Sequence, residues 1–189
     1  GSSDRTYVMV EPKWEDSIPL ITPPRLAVEE AITLSEAGHQ VIVFANSRKE
    51  VDMLAEYTRG ILKKSSPAQY EGAKQNEKLP VKIKPEQVIT GYHAGYSTED
   101  RAKIEGDIKS GRIRIIFSTN ALELGIDIGS LNVCILLGIP STSNEIWQRI
   151  GRAGRKYQDP SLVLVINNNS PFDRYYFNNP DEFFRTKNF

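Results

Sequence analysis

Three continuous apolar runs decide what this chain can fold into: "QVIVFAN" from Gln40, "LNVCILLGIP" from Leu131 and "SLVLVIN" from Ser161. None alternates apolar with polar residues. Each therefore describes a strand covered on both faces, as in the interior of a parallel sheet flanked by helices. The stretch "QVITGYHAGYSTEDRAKIEGDIKSGRIRIIFST" adds strand, turn, helix and strand, the crossover unit that parallel neighbours require. The expected fold is α/β, a parallel sheet of about six or seven strands with helices on both faces.

The helices between these runs carry their own start and stop signals. Thr22 caps a helix with Pro23 or Pro24 in its first turn. Leu26, Ala27, Ala31 and Leu34 give it one buried face, and Gly38 ends it. Ser47 and Glu50 form a capping-box pair ahead of a stripe made by Val51, Leu54, Ala55, Thr58, Ile61 and Leu62. In the crossover unit Ser97 or Thr98 caps the helix, Ile104 and Ile108 face inward, and Gly111 stops it.

Residues 24–189 are expected to form one domain. Before them, 1–23 reads as a tag remnant, "GSS", and a Pro-rich linker that holds a possible first strand in "YVMVEP". Residues 63–86 show no clean period and hold six lysines against three glutamates, which reads as an exposed basic loop insertion. Residues 170–189 read as a terminal helical segment whose aromatics dock on the sheet.

Twenty-four basic residues balance 24 acidic ones, so nucleic-acid binding by this chain has to be local rather than the coating of a polycation. The single cysteine, Cys134, lies in an apolar run; a buried thiol in a reducing compartment follows, with a cytoplasmic location, or a nuclear one in a eukaryote. No apolar run is long enough to cross a membrane, and no signal peptide is visible.

The chemistry is concentrated in "QRIGRAGR". Gln148, Arg152 and Arg155 share one short segment with Gly151 and Gly154 between them. Two guanidinium forks then converge on one small anion, best a phosphate, while the glycines remove the Cβ atoms that would hold it away. An arginine pair in a surface salt-bridge network is the rival reading. Upstream, "STNALELGIDIG" begins where a strand ends. Parallel sheets bind ligands at the carboxyl ends of their strands, which puts Thr119, Asn120, Gly125 and Asp127 at the functional edge.

"STNALELGIDIG" followed by "QRIGRAGR" resembles motifs V and VI of superfamily 2 helicases, from the second of their two RecA-like domains. Over residues 38 to 185 the wording is most similar to DEXH helicases of the YprA (MrfA) type, with the long helicase-related (Lhr) type second. The resemblance implies roles by motif position. Arg155 stands as the arginine finger, Arg152 as its partner on the γ-phosphate, and Gln148 as the coupling residue where DEAD-box proteins have His. Asp127 with Gly125 contacts the ribose of ATP and the inter-domain hinge. Thr119 and Asn120 contact the nucleic-acid backbone, as do Asn46, Ser47 and Arg48 of motif IV and the turn from His93 to Gly95. Bland alternatives stand beside these: Ser47 as a helix cap alone, His93 as a structural residue, Trp147 packing rather than stacking on a base. Glu123 and Leu124 replace the Ala-Arg of the DEAD-box motif, and Glu123 is left without a role.

Two things are missing. There is no "GxxxxGK[ST]" phosphate loop, and no Asp-Glu pair follows a strand to hold Mg²⁺. The implied protein is an ATP-dependent DNA helicase or translocase, moving 3′ to 5′ in a setting such as DNA repair. Its ATP and Mg²⁺ are bound mainly by an N-terminal RecA-like domain of the same polypeptide, and this chain is expected to be inactive alone. The rivals are a stand-alone nucleic-acid-binding or docking module and a dinucleotide-dependent enzyme, the second disfavoured because no "GxGxxG" follows the first strand.

Overall fold

A computed structural model describes residues 5–65, 81–92, 96–119, 131–140 and 161–185. In chain order the elements are strand β1 (Arg5–Val10), the short strands β2 (Trp14–Glu15) and β3 (Ile18–Pro19), helix α1 (Pro23–Glu36), strand β4 (Gln40–Phe44) and helix α2 (Arg48–Lys64). A 3₁₀ turn at Pro85–Gln87 leads into strand β5 (Val88–Ile89), helix α3 (Thr98–Lys109), and strands β6 (Ile115–Ser118), β7 (Leu131–Leu137) and β8 (Ser161–Ile166). Helices α4 (Pro171–Asn178) and α5 (Pro180–Arg185) complete the described residues.

Six strands form one sheet in the order β1-β8-β7-β4-β6-β5. Every pairing in it is parallel. Successive side chains on the central strands go to opposite faces and meet different helices. Val41, Val43, Ile115, Phe117, Ile135 and Leu137 pack with α1 and α2 through Ala27, Val28, Ala31, Val51, Leu54 and Ala55. Ile42, Phe44, Ile116, Cys134, Leu136 and Val165 pack with Ile108 of α3 and with Tyr176, Phe177 and Phe183 of α4 and α5. The three apolar runs are β4, β7 and β8, and Cys134 is fully buried.

The expected caps form. Thr22 Oγ1 accepts from Arg25 N, Ser47 Oγ from Glu50 N and Ser97 Oγ from Asp100 N. On α1 the buried face centres on Ala27, Val28, Ala31 and Ser35, with Leu26 and Leu34 half-buried at its margins. Packing against a flat sheet favours a small-residue ridge there over the leucines.

Three expectations change. The segment read as a linker contributes β1, the edge strand, whose Val10 lies in register with Ile166. Its Pro-rich part holds a two-residue hairpin, because Asp16 and Ser17 both adopt positive φ, 48° and 65°, the signature of a type I′ turn. The basic loop begins later and ends sooner than 63–86: Lys63 and Lys64 close α2, Ile83 is buried in the core, and Val81 N donates to Glu36 O. Residues 66–80 lie outside the described residues. At the C-terminus the aromatics divide, with Phe183 fully buried and Phe172 and Tyr175 about half exposed.

Phe183 joins the terminal helices to the sheet, so Phe183→Ala is expected to lower unfolding free energy by about 3–5 kcal/mol, and Phe184→Ala by well under half of that. Urea denaturation of the two variants checks this; equal effects would contradict the division.

Candidate nucleotide and nucleic-acid edge

Since every strand of the sheet is parallel, all six strand exits lie on one edge. Register fixes their level: Phe44 pairs with Ser118 on β6 and with Leu136 on β7, Leu137 with Ile166 on β8, and Ile166 with Val10 on β1. Asn46 and Thr119 thus leave adjacent strands, and Ala45 N still donates to Ser118 O beyond the ladder.

Asn46, Ser47 and Arg48 are exposed and together form the turn from β4 into α2; Thr119 is half-buried. Asn46 uses its side-chain amide to donate to Leu137 O, 3.2 Å away, which ties the β4 exit to β7. Its backbone N–H donates to Glu50 Oε1 at 3.0 Å, one residue further back than the ordinary capping box. Ser47 is the N-cap of α2. Arg48 and Lys49 occupy the first helical turn, where cations stand against the helix dipole and acidic residues stabilise. His93, Gly95, Asn120, Gly125, Asp127, Gln148, Arg152 and Arg155 lie outside the described residues, as do Glu123 and Trp147.

The flanks of the "HAG" turn are fixed from both sides. Tyr96 hydroxyl donates to Gly91 O at 2.7 Å, and Gly91 sits so close to α2 that a Cβ there would meet Val51 Cγ1 at 3.0 Å. Tyr92 is 2% exposed and its hydroxyl donates to Glu105 Oε1 at 2.7 Å. Burial first, and then the bond to the negative Glu105, push its phenol up to about 12, partly opposed by Arg101.

Sequence reasoning missed the clamps along the edge. Asp173, fully buried, accepts from Ile139 N through Oδ1 and from Asn168 N through Oδ2, both at 2.7 Å. It thereby joins the exits of β7 and β8. Ser170 Oγ caps α4 by accepting from Asp173 N at 3.1 Å. Asn167, also buried, donates to Glu11 Oε1 at 3.3 Å and carries the stitching on to β1. Gly138 lies within this cluster at φ 84°, where a Cβ would stand 3.3 Å from both Asn168 Cβ and Asp173 Oδ2. The available signal was "SPFD", a capping pattern in which the side chain three residues after the cap is a short Asp rather than Glu.

Together these features describe an α/β domain with an open carboxyl edge, braced by side chain-to-backbone bonds, and with polar residues exposed at one of its turns. Known proteins match that description. Residues 25–157 match the helicase conserved C-terminal domain, and the chain belongs to that family. The six-stranded parallel sheet with flanking helices is its RecA-like fold. The ATP-dependent helicase YprA of Bacillus subtilis is 37% identical over 145 residues, which is 77% of this chain and 17% of that protein. The ATP-dependent helicase hrq1 of Schizosaccharomyces pombe is 34% identical over 183 residues, 95% of this chain and 16% of the relative. A crystal structure of the DUF1998 helicase MrfA bound to DNA and AMPPNP superposes with a TM-score of 0.77 at 31% identity, over 96% of this chain and 23% of that one. The chain thus spans about a sixth of the length of the curated relatives it matches.

Gly138→Ala forces a residue with a Cβ into the left-handed region and against two neighbours. It is expected to cost about 1–3 kcal/mol of stability. Chemical denaturation measures this, and an unchanged midpoint would mean that the β7 exit is not held as described.

Proposed function

We propose that this chain is the second motor domain of an ATP-dependent helicase or translocase that moves along DNA. The observation that carries the proposal is family membership over residues 25–157, joined to the match over 96% of the chain with a helicase bound to DNA and AMPPNP. In this reading Arg155 is the arginine finger and Arg152 its partner on the γ-phosphate. Gln148 couples nucleotide state to movement, and Gly125 and Asp127 meet the ribose. Asn46, Ser47, Arg48, His93, Gly95, Thr119 and Asn120 line the path of the nucleic-acid backbone.

The described edge fits an anionic partner. The first turn of α2 combines free-ended backbone N–H groups with Arg48 and Lys49, an arrangement that favours a phosphate and explains why cations stand where the dipole alone would select acids. Phosphate contacts carry no sequence information, so binding is expected to be salt-sensitive and largely independent of sequence.

ATP binds chiefly to a partner domain that supplies the phosphate loop and the Mg²⁺ ligands. Among the described residues no group of three or more His, Cys, Asp or Glu side chains is placed to hold a metal, and the sequence has no phosphate loop. ATP hydrolysis supplies the free energy for movement. This chain's part is to bring positive charge to the transferred phosphoryl group, worth on the order of 10³ to 10⁵ in rate in an assembled site. By itself it turns over no ATP. The N-terminal RecA-like domain of the same polypeptide is the partner, and closing the cleft between the two domains assembles the site.

Thr119→Ala in the polypeptide that carries both motor domains tests the assignment of the edge. Affinity for single-stranded DNA is expected to fall about fivefold or more, with KM for ATP within about twofold of wild type. The reverse order, a raised KM with unchanged DNA affinity, would take Thr119 out of the nucleic-acid path.

A further inference from the structure

We propose that Asp173 is a positioning residue for the arginine-bearing stretch: it fixes the backbone at the exit of β7, so that ATP turnover as well as stability depends on it. The inference rests on the motor reading above. Three consecutive residues leave β7 before residue 141, and each is constrained in a different way. Gly138 holds a φ of 84° that strains any residue with a Cβ. Ile139 precedes a proline, which restricts its backbone, and its N–H is held by Asp173 Oδ1. Pro140 is buried, with its φ locked by the ring and no N–H to donate. A direction imposed at Ile139 is therefore passed stiffly into the stretch that contains Gln148, Arg152 and Arg155.

The choice of side chain supports a positioning role. Two backbone donors, Ile139 N and Asn168 N, converge on one side chain, each 2.7 Å from its own oxygen. Only a carboxylate offers two acceptors with no donor; an amide would turn an NH₂ group against one of the N–H groups. Asn46 holds the same exit from the other side through Leu137 O, and an ideal Cβ on Gly138 would lie 3.6 Å from its Nδ2. The β7 exit is thus gripped between the turn assigned to nucleic acid and the helix that follows β8. Neither grip requires a side chain that touches substrate. A reacting group displaced by about 1 Å can lose on the order of a hundredfold in rate, so a clamp at this point has catalytic weight.

Asp173→Asn in the two-domain polypeptide separates positioning from mere stability, because it preserves shape and removes one of the two bonds. DNA-stimulated ATP turnover is measured well below each variant's melting temperature, beside Ser170→Ala, which weakens the α4 cap and leaves both carboxylate bonds available. Asp173→Asn is expected to lower kcat about tenfold or more with KM for ATP within about twofold, while Ser170→Ala lowers the melting temperature and keeps wild-type kcat. A wild-type kcat for Asp173→Asn, or losses that follow melting temperature alike in both variants, would overturn the proposal. If Asp173→Asn does not fold, Gly138→Ala, which crowds Oδ2, replaces it with the same expected kinetic effect and the same overturning result. Arg155→Ala run in parallel tells the two failures apart. A lost rate there with a wild-type rate for Asp173→Asn defeats this inference alone, whereas a wild-type rate for Arg155→Ala defeats the motor reading and this inference with it.

Discussion

The structure depends on what happens where a parallel sheet stops. Inside the sheet each backbone N–H and C=O has a partner on the next strand; beyond the last rung those groups must find another partner or water. In this chain all the exits lie on one edge, and they are answered in series. Asn46 reaches Leu137 O, Asp173 takes Ile139 N and Asn168 N, and Asn167 reaches Glu11. These bonds brace the turns laterally across β4, β7, β8 and β1. Without them each turn would adjust separately, and residues brought together by topology would not be held in a common geometry.

This bracing fits a domain that works as one half of a machine. A residue that completes another domain's site must arrive in a fixed position each time the cleft closes, so rigidity at the edge matters more here than in a domain holding its own substrate. The opposite edge is held as well: Gln40 Nε2 donates to Ile108 O and Ile113 O at 2.8 and 2.6 Å, which pins the end of α3 beneath β4. The core between the two edges is apolar on both faces of the sheet. It leaves polar contacts to the rims, where they set direction rather than drive collapse.

Much of this was legible in the residues. The apolar runs of β4, β7 and β8 could be read because burial on both faces removes the polar alternation that other strands show. The helix starts could be read because Thr22, Ser47 and Ser97 act within three residues of themselves. Strand order was not legible: β8 is the last strand in sequence yet lies between β1 and β7, a matter of long-range pairing. The Asp16–Ser17 hairpin was hidden because it lacks the glycine that announces most such turns. At the site, the rule that ligands meet strand exits was enough to place Asn46, Ser47, Arg48 and Thr119 on neighbouring strands. Asp173 escaped because Ile139 stands 34 residues away in sequence, so the same Asp that opens α4 gave no local sign of its second task.

The central claim is that this chain completes an ATPase site carried mainly by another domain, and one comparison tests it most directly. DNA-stimulated ATP turnover is measured for the polypeptide with both motor domains, as wild type and as Arg155→Ala, with the present chain alone as the control. The account predicts a fall of about a hundredfold or more for Arg155→Ala, near-normal ATP binding, and no turnover by the isolated chain. An unchanged rate in Arg155→Ala would contradict it and would make the arginine segment a structural feature of a nucleic-acid-binding module.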